Sequence, residues 1–304
     1  MKNIPLILES YPDIIQAKIE QRERMQRKNI PSSINGQIHE LVFEDLKLWR
    51  VGQLTVSFKG GDPSLHHQIA QTASIWTQYG NISFDFGYNE ANNSYRLWQP
   101  GDESHIRIGF EYSGYWSLVG TDSTDVNIVS PGDITLNLND FDIGLPHNWQ
   151  GIVLHEFGHA LGFHHEHQSP ATICDFDWEL VYEYLAGPPN YWPKSKVDHN
   201  LRQLQSGGLT YSAHDAKSIM HYSFPAWMFI KKENSTCYTP ENNQLSEMDQ
   251  KMMEKAYPYD DNLIAVTDQR RIQNLDQILS HMVDKNSVHT QMHRHLNYYQ
   301  RKAI

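Results

Sequence analysis

The spacing of hydrophobic positions divides the chain into a short helical segment, a central region of strands and helices, and a polar tail. Residues 14–26 place their isoleucines on one face of a predicted helix. From Leu54 to Phe58 apolar and polar positions alternate, which is typical of a strand, and residues 64–78 return to helical spacing. One strand, one helix and then several strands predict an α+β core.

The rest of the core is predicted from the same two periodicities. Strand-like alternation recurs three times, over residues 82–86, 105–110 and 134–138. A second strong helix covers residues 149–163, with Asn148 as its N-cap and Gly162 at its end. Ser246 and Asp249 form a capping box that opens a third helix. The stretch before this capping box is rich in Gly and Pro and is interpreted as mainly loop.

These patterns predict three parts. Residues 1–45 are rich in charge and amides and are interpreted as an N-terminal extension. Residues 46–258 form the core domain, and residues 259–304 are predicted to be a polar, helical C-terminal extension. Neither extension carries an assignable motif, so their purpose stays open at this stage.

Composition excludes several classes of protein. With 39% hydrophobic residues among 304, the chain is globular rather than disordered. A formal charge of −11 disfavours nucleic acid and anionic membranes as partners, and no apolar run approaches the ~18 residues of a membrane-spanning helix. The first residues form no signal-peptide apolar region, which favours a cytoplasmic or non-classically exported protein, with secretion as the alternative. Nothing in the composition indicates an oligomeric state.

The two cysteines carry no recognisable motif. Cys174 and Cys237 lie 63 residues apart, which is not a metal-ligand spacing. A chain of this length can form a core without cross-links. The favoured prediction is therefore two reduced structural thiols, with a single disulfide as an alternative.

One segment carries the chemistry. The eleven residues that begin at His155 read HExxHxxGxxH. On a helix His155 and His159 lie one turn apart on the same face, so both imidazoles can bind one metal ion. Gly162 lacks a Cβ and can adopt positive φ at the helix end, which turns the chain and brings His165 back toward the same ion.

Three imidazoles with one open position match a catalytic zinc site, whereas a structural site normally closes with a fourth protein ligand. Glu156 follows the first ligand and can reach the open position. There it would take a proton from a zinc-bound water that attacks a carbonyl group. The sequence thus predicts one catalytic Zn²⁺ ion and metal-assisted hydrolysis.

The segment resembles the zinc signature of the metzincin metallopeptidases. Its continuation from His165 through Glu166 as HEH, together with the downstream sequence SIMHY that contains Met220 and Tyr222, resembles the astacin family in particular. The resemblance covers about residues 46–258. It implies a two-lobed zinc protease domain, with the active-site cleft between a sheet-plus-helix N-terminal lobe and an irregular C-terminal lobe.

The resemblance also assigns roles to side chains. Met220 would lie in a tight turn beneath the metal, with Gly162 and Glu166 as further supporting residues. Tyr222 would ligate zinc in the resting enzyme and then swing away to stabilise the oxyanion, a role that suits a neutral phenol donor.

The family binds an extended peptide antiparallel to an exposed edge strand. By position, this strand would contain Ile134, Leu136 and Leu138. A carboxylate of the N-terminal extension can also act as a cover ligand to zinc, and Glu23, Glu40 and Asp45 are candidates that no spacing distinguishes.

The predicted function is therefore a zinc-dependent endopeptidase that acts on proteins or peptides. Two alternatives remain open from the residues alone: a non-catalytic protein-binding module supported by zinc, and a hydrolase of small amides.

Overall fold

The computed structural model describes residues 9–28, 46–188, 190–203, 213–282 and 287–302. Glu40 and Asp45, two of the three cover carboxylates considered above, lie outside the described residues. Within the described ranges, no helix combines the length and the apolar character needed to cross a membrane.

A five-stranded sheet forms the centre of the N-terminal lobe. Its strands are β1 (Gln53–Phe58), β2 (Ser83–Asp85), β3 (Ile106–Gly109), β4 (Tyr115–Ser117) and β5 (Leu136–Leu138). Their order is β2-β1-β3-β5-β4, and all neighbouring pairs are parallel except β5 with β4. The short strands β4 and β2 therefore form the two edges of the sheet.

Two helices share the main core with this sheet. They are α2 (Pro63–Ala73) and α3 (Trp149–Ala160), and they pack against each other. Asp62 caps α2 by accepting a hydrogen bond from the Leu65 amide. Asn148 precedes α3 as predicted, but its side chain makes no cap and instead donates to Glu241. The predicted α+β core is confirmed.

The C-terminal lobe has a separate, aromatic core. Two helices, α4 (Trp178–Ala186) and α5 (Lys194–Leu201), pack here, within the stretch interpreted as mainly loop, and the sequence pattern did not identify them. Both are short, with few buried positions each, which gives too weak a period for detection. The core consists of ten buried residues, among them Phe176, Phe224 and Phe229.

Cys174 and Cys237 form a disulfide in this core, so the prediction of reduced thiols was wrong. The rings of Phe176 and Phe229 stack with centroids 5.1 Å apart, and the same two residues form an isolated β-bridge. This pairing brings the two cysteine segments together, with Cα atoms 5.4 Å apart. That distance lies within the range that a disulfide requires, and it depends on long-range packing rather than on sequence spacing.

The described part of the N-terminal extension contains helix α1 (Asp13–Lys28), which packs on the N-terminal lobe. Ile15 and Ile19 are buried there, but Ile14, predicted on the same face, is 69% exposed. Of the three isoleucines, only the i, i+4 pair faces the domain.

The C-terminal extension is a helical hairpin of α7 (Asp261–His281) and α8 (Ser287–Lys302), in agreement with the prediction of helix. A preceding helix, α6 (Glu247–Ala256), opens with the predicted capping box. The hairpin builds its own apolar cluster around Leu46. The Tyr298 and Tyr299 hydroxyls bond to Arg50, so the hairpin holds the segment that leads into β1.

Acidification is expected to loosen α8 from the domain. Burial, aided by the charge of Arg50, lowers the pKa of His295 from 6.5 to about 4. In the unfolded chain the imidazole is protonated below pH 6.5. The contribution of neutral His295 to the free energy of unfolding is therefore fully present above that pH and is lost as the pH falls toward 4. At most about 3 kcal/mol is involved. The protection of the α8 amides, that is, their exchange rate relative to the unprotected rate at the same pH, should be weaker at pH 5 than at pH 7, and this difference should be smaller in a His295→Gln chain. Equal pH dependence in both chains would contradict the assignment.

Candidate active site

Helix α3 carries the first two histidines of the signature on one face and ends in a Schellman motif. Gly162 has φ +102°, as its predicted role requires. Its amide donates to the His159 carbonyl at 2.8 Å, and the Phe163 amide donates to Gly158 at 3.0 Å. The chain therefore reverses directly after the helix, and His165 returns to face it.

The three imidazoles converge through their Nε2 atoms. His159 Nε2 lies 3.1 Å from His165 Nε2, and the ring centroids of His155 and His159 are 4.8 Å apart. Each Nδ1 faces an acceptor instead: His155 the Ile219 carbonyl at 2.7 Å, and His159 the Phe163 carbonyl at 2.7 Å. His165 Nδ1 lies 3.4 Å from the Gln168 side-chain oxygen. These contacts fix the rings so that all three Nε2 atoms point toward one common centre, where a metal ion can bind.

A fourth group meets the three imidazoles, and it comes from the N-terminal segment. The Glu9 carboxylate lies 2.9 Å from His165 Nε2, 3.2 Å from His155 Nε2 and 3.5 Å from His159 Nε2. One ligand atom of each of these four residues lies within 4.8 Å of all the others. Burial would raise the pKa of Glu9, but His165 and His159 outweigh it and hold that pKa well below its usual range.

Glu156 lies beside this cluster on α3 and is 2% exposed. Burial, reinforced by the negative charge of Glu9, raises the pKa of Glu156 well above its usual value. Its Oε2 has no hydrogen-bond partner within the described part of the chain. A buried carboxyl that is not committed to another group is suited to exchange a proton with a bound water or substrate.

Tyr222 points its hydroxyl into the same space. The hydroxyl oxygen accepts a hydrogen bond from the Glu9 amide at 2.6 Å, and its ring lies 5.7 Å from that of His165. Burial, with the charge of Glu9, raises the pKa of Tyr222, so the phenol keeps its proton.

The residues present fit a zinc ion. Three neutral-capable imidazoles with oriented Nε2 atoms, each held at Nδ1 by an oxygen, form the donor set typical of catalytic zinc. A carboxylate oxygen is the kind of ligand that completes such a site, and Glu9 supplies one here.

Comparisons with known proteins agree with this geometry. No model of a known protein family matches the chain. Zinc metalloproteinase nas-2 of Caenorhabditis elegans is 31% identical over 40% of this chain and 38% of its own length. The astacin-like metalloendopeptidase of Gallus gallus is 39% identical over 24% of this chain and 16% of its own length.

A solved structure, that of myroilysin, decides the assignment. It is 33% identical to this chain, with a TM-score of 0.60, and the match covers 71% of this chain and 97% of myroilysin. The chain belongs to the astacin-like zinc metallopeptidases. It spans well under half the length of the curated relatives that it matches.

The astacin-like domain places Met220 directly beneath helix α3. Met220 is buried, and a Cβ atom on Gly158 would lie only 2.3 Å from its Sδ. The turn is held by Asp249, which accepts from the Ser218 hydroxyl at 2.7 Å and the Ile219 amide at 2.8 Å. The glycine therefore permits a close approach that the signature pattern alone does not specify.

Replacement of Gly158 by Ala is expected to destabilise the domain by about 1–3 kcal/mol, because the new methyl group and Met220 would compete for one space. Thermal unfolding measures this loss. The same exchange in a Met220→Ala background should cost less, since the thioether is then absent. An equal cost in both backgrounds would show that the strain arises elsewhere.

Glu166 lies on the far side of this turn. Its amide donates to the Met220 carbonyl at 2.9 Å, and its carboxylate accepts from the Asp215 amide at 3.0 Å. Burial raises the pKa of Glu166 to about 7. In the described residues Glu166 thus braces the turn and does not enter the metal cluster.

The predicted substrate strand was misplaced. Strand β5 pairs with β3 on one side and β4 on the other, so it offers no free edge. Ile134, Leu136 and Leu138 are all buried. The edge strand next to β5 is β4, which the alternation pattern did not identify.

The N-terminal segment covers both the edge strand and the metal cluster. The Tyr11 hydroxyl donates to the Ser117 carbonyl of β4 at 3.2 Å, and its ring meets Trp116 edge-on. Asp13 reaches the other lobe, where it pairs with Lys196 at 3.0 Å. The covering carboxylate is Glu9 rather than Glu23. No sequence signal marks Glu9, since it has neither a motif nor a fixed spacing to the histidines.

Proposed function

We propose that the protein is a zinc-dependent endopeptidase that hydrolyses peptide bonds within extended polypeptides. The observation that carries this proposal is the convergence of three imidazole Nε2 atoms beside a buried carboxyl, Glu156, within a domain of this family. His155, His159 and His165 would hold the ion.

A zinc ion bound there supplies Lewis-acid polarisation of the scissile carbonyl and lowers the pKa of water. Glu156 acts as the base that takes a proton from the attacking water, and then returns it to the leaving amine. Tyr222, whose hydroxyl faces the same space and stays protonated, donates to the developing oxyanion.

The substrate is a polypeptide rather than a small amide. Edge strand β4 lies beside the cleft, and the N-terminal segment already reaches from β4 to the other lobe across it. An extended peptide can make the same strand-edge hydrogen bonds. The intact, buried Glu156 disfavours a non-catalytic binding module.

Residues 1–45 form a cover for the active site in this proposal, residues 46–258 the catalytic domain, and residues 259–304 the hairpin extension. Glu9 occupies the position that water and the scissile carbonyl need, and its amide engages Tyr222. The full chain is therefore latent until the segment around Glu9 is displaced.

The Cys174–Cys237 disulfide supports a site of action outside the reducing compartments of the cell. Secretion is thus the favoured location in this proposal, in place of the cytoplasm.

Removal of metal tests the proposal. Full-length Glu9→Ala protein should contain one zinc ion per chain and cleave internal bonds of a peptide library, as followed by mass spectrometry. A chelator should reduce the rate of cleavage at least a hundredfold. Zinc should restore it and magnesium should not, because imidazole nitrogens suit zinc. Cleavage that persists without metal, or activity confined to blocked amino acids, would contradict the proposal.

A further inference from the structure

A buried ion pair joins α1 to the catalytic domain at a distance from the metal cluster. Arg22 is 8% exposed, and both of its terminal nitrogens bond the Asp122 carboxylate, with Nη2 2.9 Å from Oδ2. Arg22 Nη1 also lies 3.3 Å from Asp125 Oδ2. This fork-to-carboxylate geometry is the strongest and most specific that a guanidinium makes.

The acidic side of this pair belongs to the domain, in the turn that follows edge strand β4. Both oxygens of Asp122 accept from Arg22, and Asp122 is 5% exposed. Asp125 is held in place separately, because its Oδ1 accepts from the Asn127 amide at 2.9 Å. Withdrawal of Arg22 would therefore leave Asp122 as a buried charge without its cation, which is strongly unfavourable.

An apolar surface adjoins the two carboxylates. Ile15 and Ile19 of α1 pack against a cluster that is separate from the main core. The domain contributes Trp116, Leu118, Ile128, Val129 and Ile134 to this cluster. A segment seated here must present apolar side chains and a cation together.

We propose that Asp122 and Asp125 form a subsite for an arginine side chain, which is filled by Arg22 in this structure. After α1 leaves, an arginine of a protein substrate fills it. This inference rests on the proposed endopeptidase function and adds a determinant of substrate choice. Arginine is favoured over lysine, since its two terminal nitrogens meet the two Asp122 oxygens as a matched pair while one of them also reaches Asp125, a geometry that a single ammonium nitrogen does not provide.

The subsite acts on long substrates only. Arg22 lies nine residues into α1 from Asp13, about 14 Å along the helix axis. An extended peptide needs at least four further residues to cover that distance. Glu9 at the metal cluster and Arg22 at Asp122 are 13 residues apart in this chain. A five-residue peptide that follows the path of this segment therefore reaches the metal cluster but not Asp122.

A binding test needs no catalysis. In the full-length Arg22→Ala chain, millimolar ethylguanidinium should raise the thermal midpoint, whereas ethylammonium should raise it less. The wild-type chain, whose subsite is filled, should show no such rise. Asp122→Asn in the Arg22→Ala chain should abolish the difference between the two ions. Where that double variant does not fold, Asp125→Asn replaces it. Equal responses to both ions in the Arg22→Ala chain would overturn the subsite.

A cleavage test then addresses substrate choice. The enzyme is the full-length chain with both Glu9→Ala and Arg22→Ala. The substrates are pairs of twenty-residue peptides, identical except that one has arginine and the other citrulline at one position beyond the scissile bond. Successive pairs move this position along the peptide. At one register the arginine peptide should have a KM about tenfold lower. In the chain that also carries Asp122→Asn the KM ratio should fall to about one.

A five-residue peptide separates the two proposals. Absence of cleavage both of this peptide and of the peptide library by the Glu9→Ala chain refutes the endopeptidase function itself. Cleavage of the short peptide, with equal KM values for arginine and citrulline peptides at every register, refutes the arginine subsite alone.

Discussion

Glu156→Gln is expected to reduce peptide hydrolysis by about 10²–10⁴-fold in the full chain opened by Glu9→Ala. The amide keeps the shape of the side chain but accepts no proton from the attacking water and returns none to the leaving amine. Glu156 is buried, so solvent has little access to take over that task. The measurement is kcat on a fluorogenic peptide.

Two controls make this result specific. Zinc content should be unchanged, because Glu156 is not in the group that could hold the metal. Glu254→Gln removes an exposed carboxylate from α6 and should leave kcat within twofold. Retained kcat in the Glu156→Gln chain, with zinc still bound, would remove Glu156 from the mechanism.

Helix α3 and the turn that follows it were predictable because their determinants are local. Helical periodicity alone places His155 and His159 on one face, and a glycine at the helix end is enough to turn the chain toward His165. The capping box at Ser246 is equally local, and the structure contains both of its hydrogen bonds.

The sheet order was not predictable in the same way. Strand β5 lies between β3 and β4, although β4 precedes it in sequence, and this arrangement depends on contacts between distant segments. Alternation identifies a strand but not its neighbours, so the edge position was assigned to β5 instead of β4.

The disulfide and the covering carboxylate escaped prediction for a related reason. Cys174 and Cys237 meet only because Phe176 pairs with Phe229 in the second core. Glu9 lies 146 residues before His155 in sequence, and its position depends on how α1 seats on the domain. Neither contact leaves a spacing that a sequence can show.

Glu9→Ala is expected to raise peptide hydrolysis by the full chain at least tenfold. The exchange removes a carboxylate that lies within 3.5 Å of all three imidazole Nε2 atoms, so the position that a substrate carbonyl needs becomes free. Tenfold corresponds to about 1.4 kcal/mol, less than one charge-assisted hydrogen bond usually contributes. Initial rates on a short fluorogenic peptide measure the gain at equal zinc content.

Asp13→Ala is the matched control, since it removes a neighbouring carboxylate of the same segment that is 96% exposed and pairs only across the surface with Lys196. Exposed pairs contribute about 0–1 kcal/mol, so activity should change by less than about fivefold. In both variants α1 stays docked through Arg22. A difference in activity between them therefore reports the effect of the Glu9 carboxylate at the metal cluster, separately from the docking of the helix. Equal activity of the Glu9→Ala and wild-type chains would mean that docking of α1, rather than the Glu9 carboxylate, keeps substrate out.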